Sequence, residues 1–152
     1  MSKIIRRMTV QDAPGVHAVE LESFATPWTL DAFEAEMTQN PNAYYVVADQ
    51  DGIVGFAGLW HIADEGHITN IAVKQSHRGQ GLGEDLLTAL IAVGRALGLR
   101  AMTLEVRVSN TPLARTLYEK LGFQYVGVRK RYYQDNNEDV AIYWLELEGE
   151  DL

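Results

Sequence analysis

A chain of 152 residues with 47% hydrophobic and 22% charged side chains has the size and composition of a single globular domain. It contains no cysteine, which excludes disulfides, thiolate metal sites and a cysteine nucleophile. The net charge of −8 argues against nucleic acid as the main ligand, and the sequence shows neither a signal peptide nor the ~18 apolar residues of a membrane span, so we expect one cytoplasmic domain over residues 1–152.

The first forty residues predict a strand followed by two helices. Residues 4–8 have the pattern of a short strand, and the segment from Thr9 to Asp12 offers capping residues for a helix that ends near Ser23. Pro27 disfavours a helical residue before it and therefore separates the two helices. Thr29 can cap the second helix, which we expect to continue to residue 39.

Three strands should follow as an antiparallel meander. Residues 43–48 and 53–62 are rich in β-forming side chains, and Asp51-Gly52 between them favours a tight turn. Residues 66–73 complete the meander. The prediction for this part of the chain is three neighbouring strands without a crossover helix.

The second half alternates helices and strands. Residues 79–97 predict a helix that Gly98 ends, with an apolar face made of Leu82, Leu86, Leu90, Val93 and Leu97. Residues 100–108 alternate as a strand, and a helix capped by Asn110 or Thr111 should end at Gly122. Strands over 123–128 and 140–147 give the order β-α-α-β-β-β-α-β-α-β-β, a mixed sheet with helices on its faces.

The sharpest local motif is a glycine-rich loop between a strand and a helix. It reads Arg78-Gly79-Gln80-Gly81-Leu82-Gly83. Backbone N–H groups at a helix start form an anion cradle, and an arginine adds a cation, so the loop suits a pyrophosphate. Plain turn chemistry is the alternative. The motif is not a phosphate loop of the Gly-Lys-Ser/Thr type, and its spacing is not the G-x-G-x-x-G of dinucleotide-binding folds.

Several motifs together resemble the GNAT superfamily of N-acetyltransferases. The acetyl-CoA signature is matched by Arg78-x-x-Gly81-x-Gly83, preceded by Asn70-Ile71-Ala72-Val73. The second half agrees through Leu104-Glu105-Val106, Ser109-Asn110, Ala114 and the run from Leu117 to Phe123. The resemblance covers nearly the whole chain. It implies an α+β fold (an α/β sandwich) with a mixed, mostly antiparallel central sheet and helices on both faces.

Three further stretches resemble the bacterial enzymes of that superfamily that acetylate the N-terminal alanine of a ribosomal protein. They are residues 24–28, residues 104–110, and Arg131-Tyr132-Tyr133 followed by residues 138–142. Two positions depart from the pattern, because Gln75 stands where proline is common and His67 where a small or apolar residue is expected. A histidine at position 67 would change the surface that contacts the acceptor substrate.

The resemblance implies acetyl-CoA as co-substrate and no metal. The strand that ends at Val73 should splay from the strand that begins near Arg100, with the pantetheine arm in the gap. We expect cofactor contacts from Ile71, Ala72, Val73, Arg78, Gly79, Gln80, Gly81, Leu82, Gly83, Asn110 and Tyr118. For Ile71 and Val73 core packing is a compatible role, and for Asn110 a plain helix cap is the alternative.

The reaction is the attack of an amine on a thioester, which requires a base because a protonated amine has no lone pair. A free α-amino group has a pKa of about 8 against about 10.4 for lysine, so a carboxylate serves an α-amine more easily near neutral pH. The resemblance assigns this role to Glu105, although by itself a strand carboxylate would be solvated or paired, for instance with Arg107. It assigns Tyr118 as general acid for the thiolate, and His67 and Glu65 are rival bases.

Trp28, His67, Tyr132 and Tyr133 are the expected substrate contacts, with core-edge packing as the alternative for the aromatic residues. The leading hypothesis is acetylation of a protein N-terminus, inferred to be a ribosomal protein that begins with alanine. A second hypothesis is acetylation of a small amine such as a polyamine, an amino acid or an aminoglycoside. A non-enzymatic acyl-CoA-binding module is a third class, and the presence of both Glu105 and Tyr118 weighs against it. Neither a nucleic acid nor a membrane is an expected partner.

Overall fold

The computed structural model describes residues 3–24, 27–107, 111–133 and 138–147. Within them the chain forms seven strands and four helices in the predicted order. The elements are β1 (Ile4–Arg7), α1 (Ala13–Ser23), α2 (Leu30–Gln39), β2 (Ala43–Asp49), β3 (Ile53–Ile62), β4 (Glu65–Val73), α3 (Leu82–Ala96), β5 (Ala101–Arg107), α4 (Thr111–Lys120), β6 (Gln124–Tyr133) and β7 (Glu138–Glu146).

The strands build one sheet in the order β1-β2-β3-β4-β5-β7-β6. Neighbouring strands are antiparallel except β4 and β5, which run parallel, so the predicted mixed, mostly antiparallel sheet is confirmed. The parallel pairing covers only Glu65–His67 against Ala101–Thr103. Beyond His67 no further pairing joins the two strands in the described residues, so the sheet splits there as expected. We call this opening the strand gap.

An apolar core lies on each face of the sheet. On one face α3 buries Leu82, Leu86 and Leu90, and each such side chain stabilises the fold by roughly 1.5–3 kcal/mol. On the other face Phe33 of α2 packs edge-on against Tyr45 and Phe56. We call these the α3 face and the α1/α2 face. The candidate site described below has residues on both of these faces.

Some predicted boundaries were wrong, and each error has a physical cause. The helix expected from residue 79 begins at Leu82, because Gly79 and Gly81 have φ of +80° and +81° and such residues do not continue a right-handed helix. Leu97, expected on the buried face, is 43% exposed because α3 ends at Ala96.

The last hairpin is longer than predicted. Pairing continues to Tyr133 and Glu138, whereas the polar residues of this segment suggested strands over 123–128 and 140–147 only. Backbone hydrogen bonds between paired strands do not require an apolar side-chain pattern, so the pattern underestimated the length.

In the described part of the chain, no helix is both long and apolar enough to cross a membrane. Within the same residues, no group of His, Cys, Asp and Glu side chains could hold a metal ion.

Candidate active site

A cavity of about 560 Å³ opens beside the glycine-rich loop. Its lining is Ile71, Ala72, Val73, His77, Arg78, Gly79, Gly81, Leu82, Gly83, Leu117 and Tyr118. The structure thus brings together nearly all residues expected to contact acetyl-CoA, although they come from β4, α3 and α4. Gln80 belongs to the loop but not to this lining. Asn110 lies outside the described residues.

The loop has the geometry of an anion site. Gly81 is the N-cap of α3 and, as a glycine, supplies no capping side chain to the first backbone N–H groups of the helix. A Cβ atom built on Gly79 or Gly81 would meet no atom within 4 Å, so the space beside these residues is open. Both acidic residues of the first turn are paired with lysines, Glu84 with Lys120 at 2.8 Å and Asp85 with Lys3. The positive end of the helix is therefore available to a phosphate.

Two basic side chains lie at the start of this loop, those of Arg78 and His77, and His77 was not predicted as a site residue. Arg78 donates from Nε to the Val73 carbonyl oxygen at 3.0 Å. This contact occupies one of the backbone groups expected to face the pantetheine arm and ties the loop to the end of β4. His77 is the last residue of a 3-10 turn over Gln75–His77 and lines the cavity beside Arg78. A histidine directly before the arginine was the signal that sequence reasoning passed over.

We expect Gly81→Trp to raise the Kd for acetyl-CoA by at least about tenfold, equal to about 1.4 kcal/mol, because the ring fills the space a pyrophosphate needs. Calorimetry measures the Kd for acetyl-CoA, which EDTA should leave unchanged because no metal is expected to take part in binding. Gly98→Trp is the matched control: Gly98 ends the same helix, has φ of +75° and is equally open. Both variants carry backbone strain of roughly 1–2 kcal/mol, but only the first should lose affinity. Equal affinity in the two folded variants would remove the anion site.

Tyr118 combines burial with access to the cavity. Its ring lies in the α3 core, 6.1 Å from Phe123 and 5.7 Å from Tyr143 between centroids, and it is only 8% exposed. Burial, with a smaller electrostatic contribution from Tyr143, raises the pKa of Tyr118 to about 12. The phenol therefore keeps its proton throughout the neutral range and can donate a hydrogen bond to a group in the cavity.

Glu105 lies on the opposite side of the sheet. Its neighbours Leu104 and Val106 belong to the α3 core, so the alternation of β5 directs Glu105 to the α1/α2 face. Glu105 is two residues beyond Thr103, the last residue that pairs with β4, and therefore borders the strand gap. Its Oε2 is 3.1 Å from Arg129 Nη2 on β6. An ion pair with Arg107 was the alternative from sequence; the partner that the structure shows is Arg129.

The rival bases form a separate polar cluster. His67 Nε2 is 3.1 Å from Glu65 Oε1, and Arg100 Nη2 donates to Glu65 Oε2 at 2.8 Å. Both residues sit where β4 and β5 are still paired, at the closed end of the strand gap. The position of His67 and Glu65 favours Glu105 as the base, because Glu105 borders the open part of the strand gap.

Trp28 is held at the edge of the α1/α2 core. Its ring packs 5.3 Å from Phe33 and 6.4 Å from Trp60, and its backbone N–H donates to Glu20 Oε2 at 2.9 Å. Glu20 Oε1 accepts from Asn70 Nδ2 at 3.2 Å, so one buried carboxylate joins the α1–α2 connection to β4. The backbones of Tyr132 and Tyr133 belong to β6, while their side chains lie outside the described part.

Glu20 is 2% exposed, and burial raises its pKa although the hydrogen bonds from Trp28 and Asn70 oppose this. A raised carboxyl pKa stabilises the fold below the unfolded-state pKa, and this contribution is lost as pH rises through the folded-state value. We therefore expect the Tm of Glu20→Gln minus that of the wild type to increase as pH rises from 4 to 8.

The amide introduced by Glu20→Gln can accept from the Trp28 N–H and donate to a flipped Asn70. In contrast, Glu20→Ala leaves both donors unpaired and should lower the free energy of unfolding by about 1–3 kcal/mol at pH 4, with a difference from the wild type that narrows as pH rises. Thermal unfolding scans across this range check both variants, and a Tm difference for Glu20→Gln that falls with pH would contradict the assignment.

Comparison with known proteins places this geometry in context. The sequence model of the acetyltransferase (GNAT) family matches residues 13–123. A Bacillus subtilis protein named, provisionally, as a [ribosomal protein bS18]-alanine N-acetyltransferase is 44% identical, over 94% of this chain and 95% of that protein. The [ribosomal protein bS18]-alanine N-acetyltransferase of Haemophilus ducreyi is 34% identical, over 91% of this chain and 96% of its own. The crystal structure of the ribosomal-protein-S18-alanine N-acetyltransferase from Escherichia coli superposes with a TM-score of 0.86 at 33% identity, covering 99% of both chains.

Proposed function

This chain belongs to the acetyltransferase (GNAT) family, and from that premise we propose that it transfers the acetyl group of acetyl-CoA to the N-terminal α-amine of a protein. The chain is an acetyl-CoA-dependent N-acetyltransferase. The proposed substrate is a ribosomal protein that begins with alanine, with bS18 as the first candidate because the Bacillus subtilis and Haemophilus ducreyi relatives, matched over 94% and 91% of this chain, are named for it. Such a substrate would place the enzyme in the cytoplasm. We also propose that residues 1–152 form a single domain.

The observation that carries the proposal is the strand gap with different chemistry on its two faces. On the α3 face, the cavity joins the glycine-rich loop over residues 78–83, which we call the anion loop, to Tyr118. On the α1/α2 face, Glu105 borders the same gap. Acetyl-CoA bound in the cavity supplies a thioester at the gap, and the amine arrives from the other face. Two substrates that approach from opposite faces need no covalent intermediate on the enzyme.

Glu105 and Tyr118 then act on different protons of the reaction. Glu105 removes a proton from the α-ammonium group, which frees the nitrogen lone pair for attack on the thioester carbon. The new N–C bond forms as the C–S bond breaks, and Tyr118 donates a hydrogen bond or its proton to the leaving sulfur. The buried Tyr118 phenol, with a pKa of about 12, is a weaker acid than a thiol with a pKa of about 8.5, so complete proton transfer to the sulfur would cost roughly 5 kcal/mol. Stabilisation of the developing thiolate by a hydrogen bond is therefore the favoured description.

A thiol-release assay with acetyl-CoA tests the proposal against a panel of acceptors. The panel contains an alanine-starting bS18 peptide, the same peptide with a blocked N-terminus and a free lysine, a polyamine and an aminoglycoside. We expect the free N-terminal peptide to have the highest kcat/KM, with mass spectrometry locating the acetyl group on the α-amine. Preferred turnover of a small amine, or equal turnover of the blocked peptide, would overturn the N-terminal assignment while leaving the acetyltransferase family in place.

A further inference from the structure

Gly58, in the middle of β3, marks a side-chain crossing. A Cβ atom built on this residue would lie 2.2 Å from Cε2 of Tyr45, because the Tyr45 ring passes directly over the Gly58 backbone. Tyr45 belongs to β2, and by crossing β3 it brings its hydroxyl oxygen to 3.2 Å from Thr69 Oγ1 on β4. Only glycine at position 58 leaves room for this arrangement.

The direction of the hydrogen bonds follows from the carboxylate at the far end. Glu36 Oε2 lies 2.9 Å from the Tyr45 hydroxyl and 2.6 Å from Trp60 Nε1. The Tyr45 hydroxyl and the Trp60 indole N–H both donate to this oxygen, so the Tyr45 proton points to Glu36. The Tyr45 oxygen is then the acceptor for the Thr69 proton. The Thr69 hydroxyl is left with lone pairs and no free proton.

Thr69 occupies a distinctive place on β4. The register between β3 and β4 shifts from Gly58–Asn70 to Leu59–Ile68, so Thr69 is the extra residue of a β-bulge. It stands two residues beyond His67, the last residue of β4 that pairs with β5. Unlike Tyr45, which is 1% exposed, Thr69 is partly exposed. The bulge is held from two helices, by Glu36 through Tyr45 and by Glu20 through Asn70.

We propose that Thr69 is a substrate-binding residue whose hydroxyl oxygen accepts a hydrogen bond from the acceptor amine, and that Tyr45 and Glu36 are positioning residues that keep its proton turned away. The inference rests on the proposed function. Thr69 and Glu105 both border the strand gap on the α1/α2 face, opposite the cavity that contains Tyr118. Two acceptors on this face hold the N–H bonds of the amine, which directs its lone pair across the gap toward the thioester carbon.

The test compares Thr69→Val with Thr69→Ser. Valine keeps the shape of threonine and removes the oxygen, so kcat/KM for the amine should fall by at least about tenfold, the effect of losing one hydrogen bond to a charged group. Serine keeps the oxygen and should restore kcat/KM to within about threefold of the wild type, whereas a role of Thr69 in packing through its methyl group predicts that Thr69→Ser is more impaired than Thr69→Val. The Kd for acetyl-CoA should stay within about twofold in both variants, because the cavity lies on the opposite face.

Tyr45→Phe tests the positioning role independently of the Thr69 variants. The ring still covers Gly58, but the Thr69 proton loses its acceptor, so we expect a smaller fall in kcat/KM of about three- to tenfold. Tyr44→Phe is the matched control, because Tyr44 is the preceding residue of β2 and packs under Arg7 on the other face. If thermal unfolding shows that Thr69→Val is too unstable to assay, the kinetics of Thr69→Ser and Tyr45→Phe decide whether the proposal holds.

Kinetics of Thr69→Val or Tyr45→Phe equal to those of the wild type would overturn the proposal. So would equal losses in Tyr45→Phe and Tyr44→Phe. The best wild-type acceptor serves as substrate in every comparison. If that acceptor is a small amine, the N-terminal function fails while the role of Thr69 is still tested.

Discussion

Replacing Tyr118 by Phe should lower kcat by roughly 10²–10⁴-fold, the range for losing a group that hydrogen-bonds or protonates the leaving sulfur, while the fold and acetyl-CoA binding persist. The ring would keep its packing against Phe123 and Tyr143, since only the hydroxyl is removed. Because burial raises the pKa of Tyr118 to about 12, its deprotonation should limit the wild-type rate only well above pH 10. Stopped-flow measurement of the acetyl-transfer step, under saturating acetyl-CoA, checks the rate of chemistry directly.

Tyr125→Phe is the control for this experiment. Tyr125 packs against the same Tyr143 ring, with centroids 6.0 Å apart, but it is 48% exposed on β6 and does not line the cavity. Loss of its hydroxyl should leave kcat unchanged. A chemical step in Tyr118→Phe within about twofold of the wild type would refute the proposed role of Tyr118 at the leaving sulfur, whether as hydrogen-bond donor or as acid.

Glu105→Gln should lower kcat/KM for an alanine-starting peptide by about 10²–10⁴-fold at neutral pH, with nearly unchanged affinity for acetyl-CoA. The glutamine side chain has almost the same shape, so lost packing does not account for lost activity. If Glu105 removes the proton, the defect should shrink as pH rises toward and above about 8, because more of the free α-amine then arrives without its extra proton. A carboxylate that only pairs with Arg129 predicts no such recovery.

A pH–rate series on wild type and variant, with the free and the N-terminally blocked peptides, separates these outcomes. Glu146→Gln is a matched control, since Glu146 is an exposed carboxylate at the other end of the same β5–β7 ladder. A defect in Glu105→Gln that is the same at every pH would count against Glu105 as the base. Blocked peptide with a free lysine should be a poor substrate for both enzymes, because lysine has the higher pKa.

The order of the elements was predictable because it depends on local patterns. The apolar spacing of Leu82, Leu86 and Leu90 indicates a helix whatever surrounds it, and the alternation from residue 101 indicates a strand. The glycine-rich loop was predictable for a similar reason, since its backbone conformation is a property of the glycines themselves. The roles of Glu105 and Tyr118 came from the family pattern and remain predictions, which the variants above test.

Some errors came from contacts that local patterns do not contain. The β6–β7 hairpin is held by pairing to Tyr133 and Glu138 rather than by its side-chain pattern, so its length was underestimated. The structure pairs Glu105 with Arg129, 24 residues away along the chain, a contact that the sequence did not suggest, whereas the Arg107 side chain lies outside the described part. His77 was overlooked because a single histidine in a turn has no periodic signal, and its place at the cavity depends on the 3-10 turn before the loop.

By itself, the sequence of this protein determined its element order, the anion loop and the candidate acid and base, because backbone preference and family motifs are properties of short segments. The tertiary structure alone decided where β4 and β5 part, which face each catalytic candidate occupies, and that Tyr45 crosses Gly58 to reach Thr69. These features join residues such as Glu36 and Trp60, or Glu20 and Asn70, that are distant along the chain. Their contacts follow from strand register and from packing between layers, and no local period in the sequence encodes either.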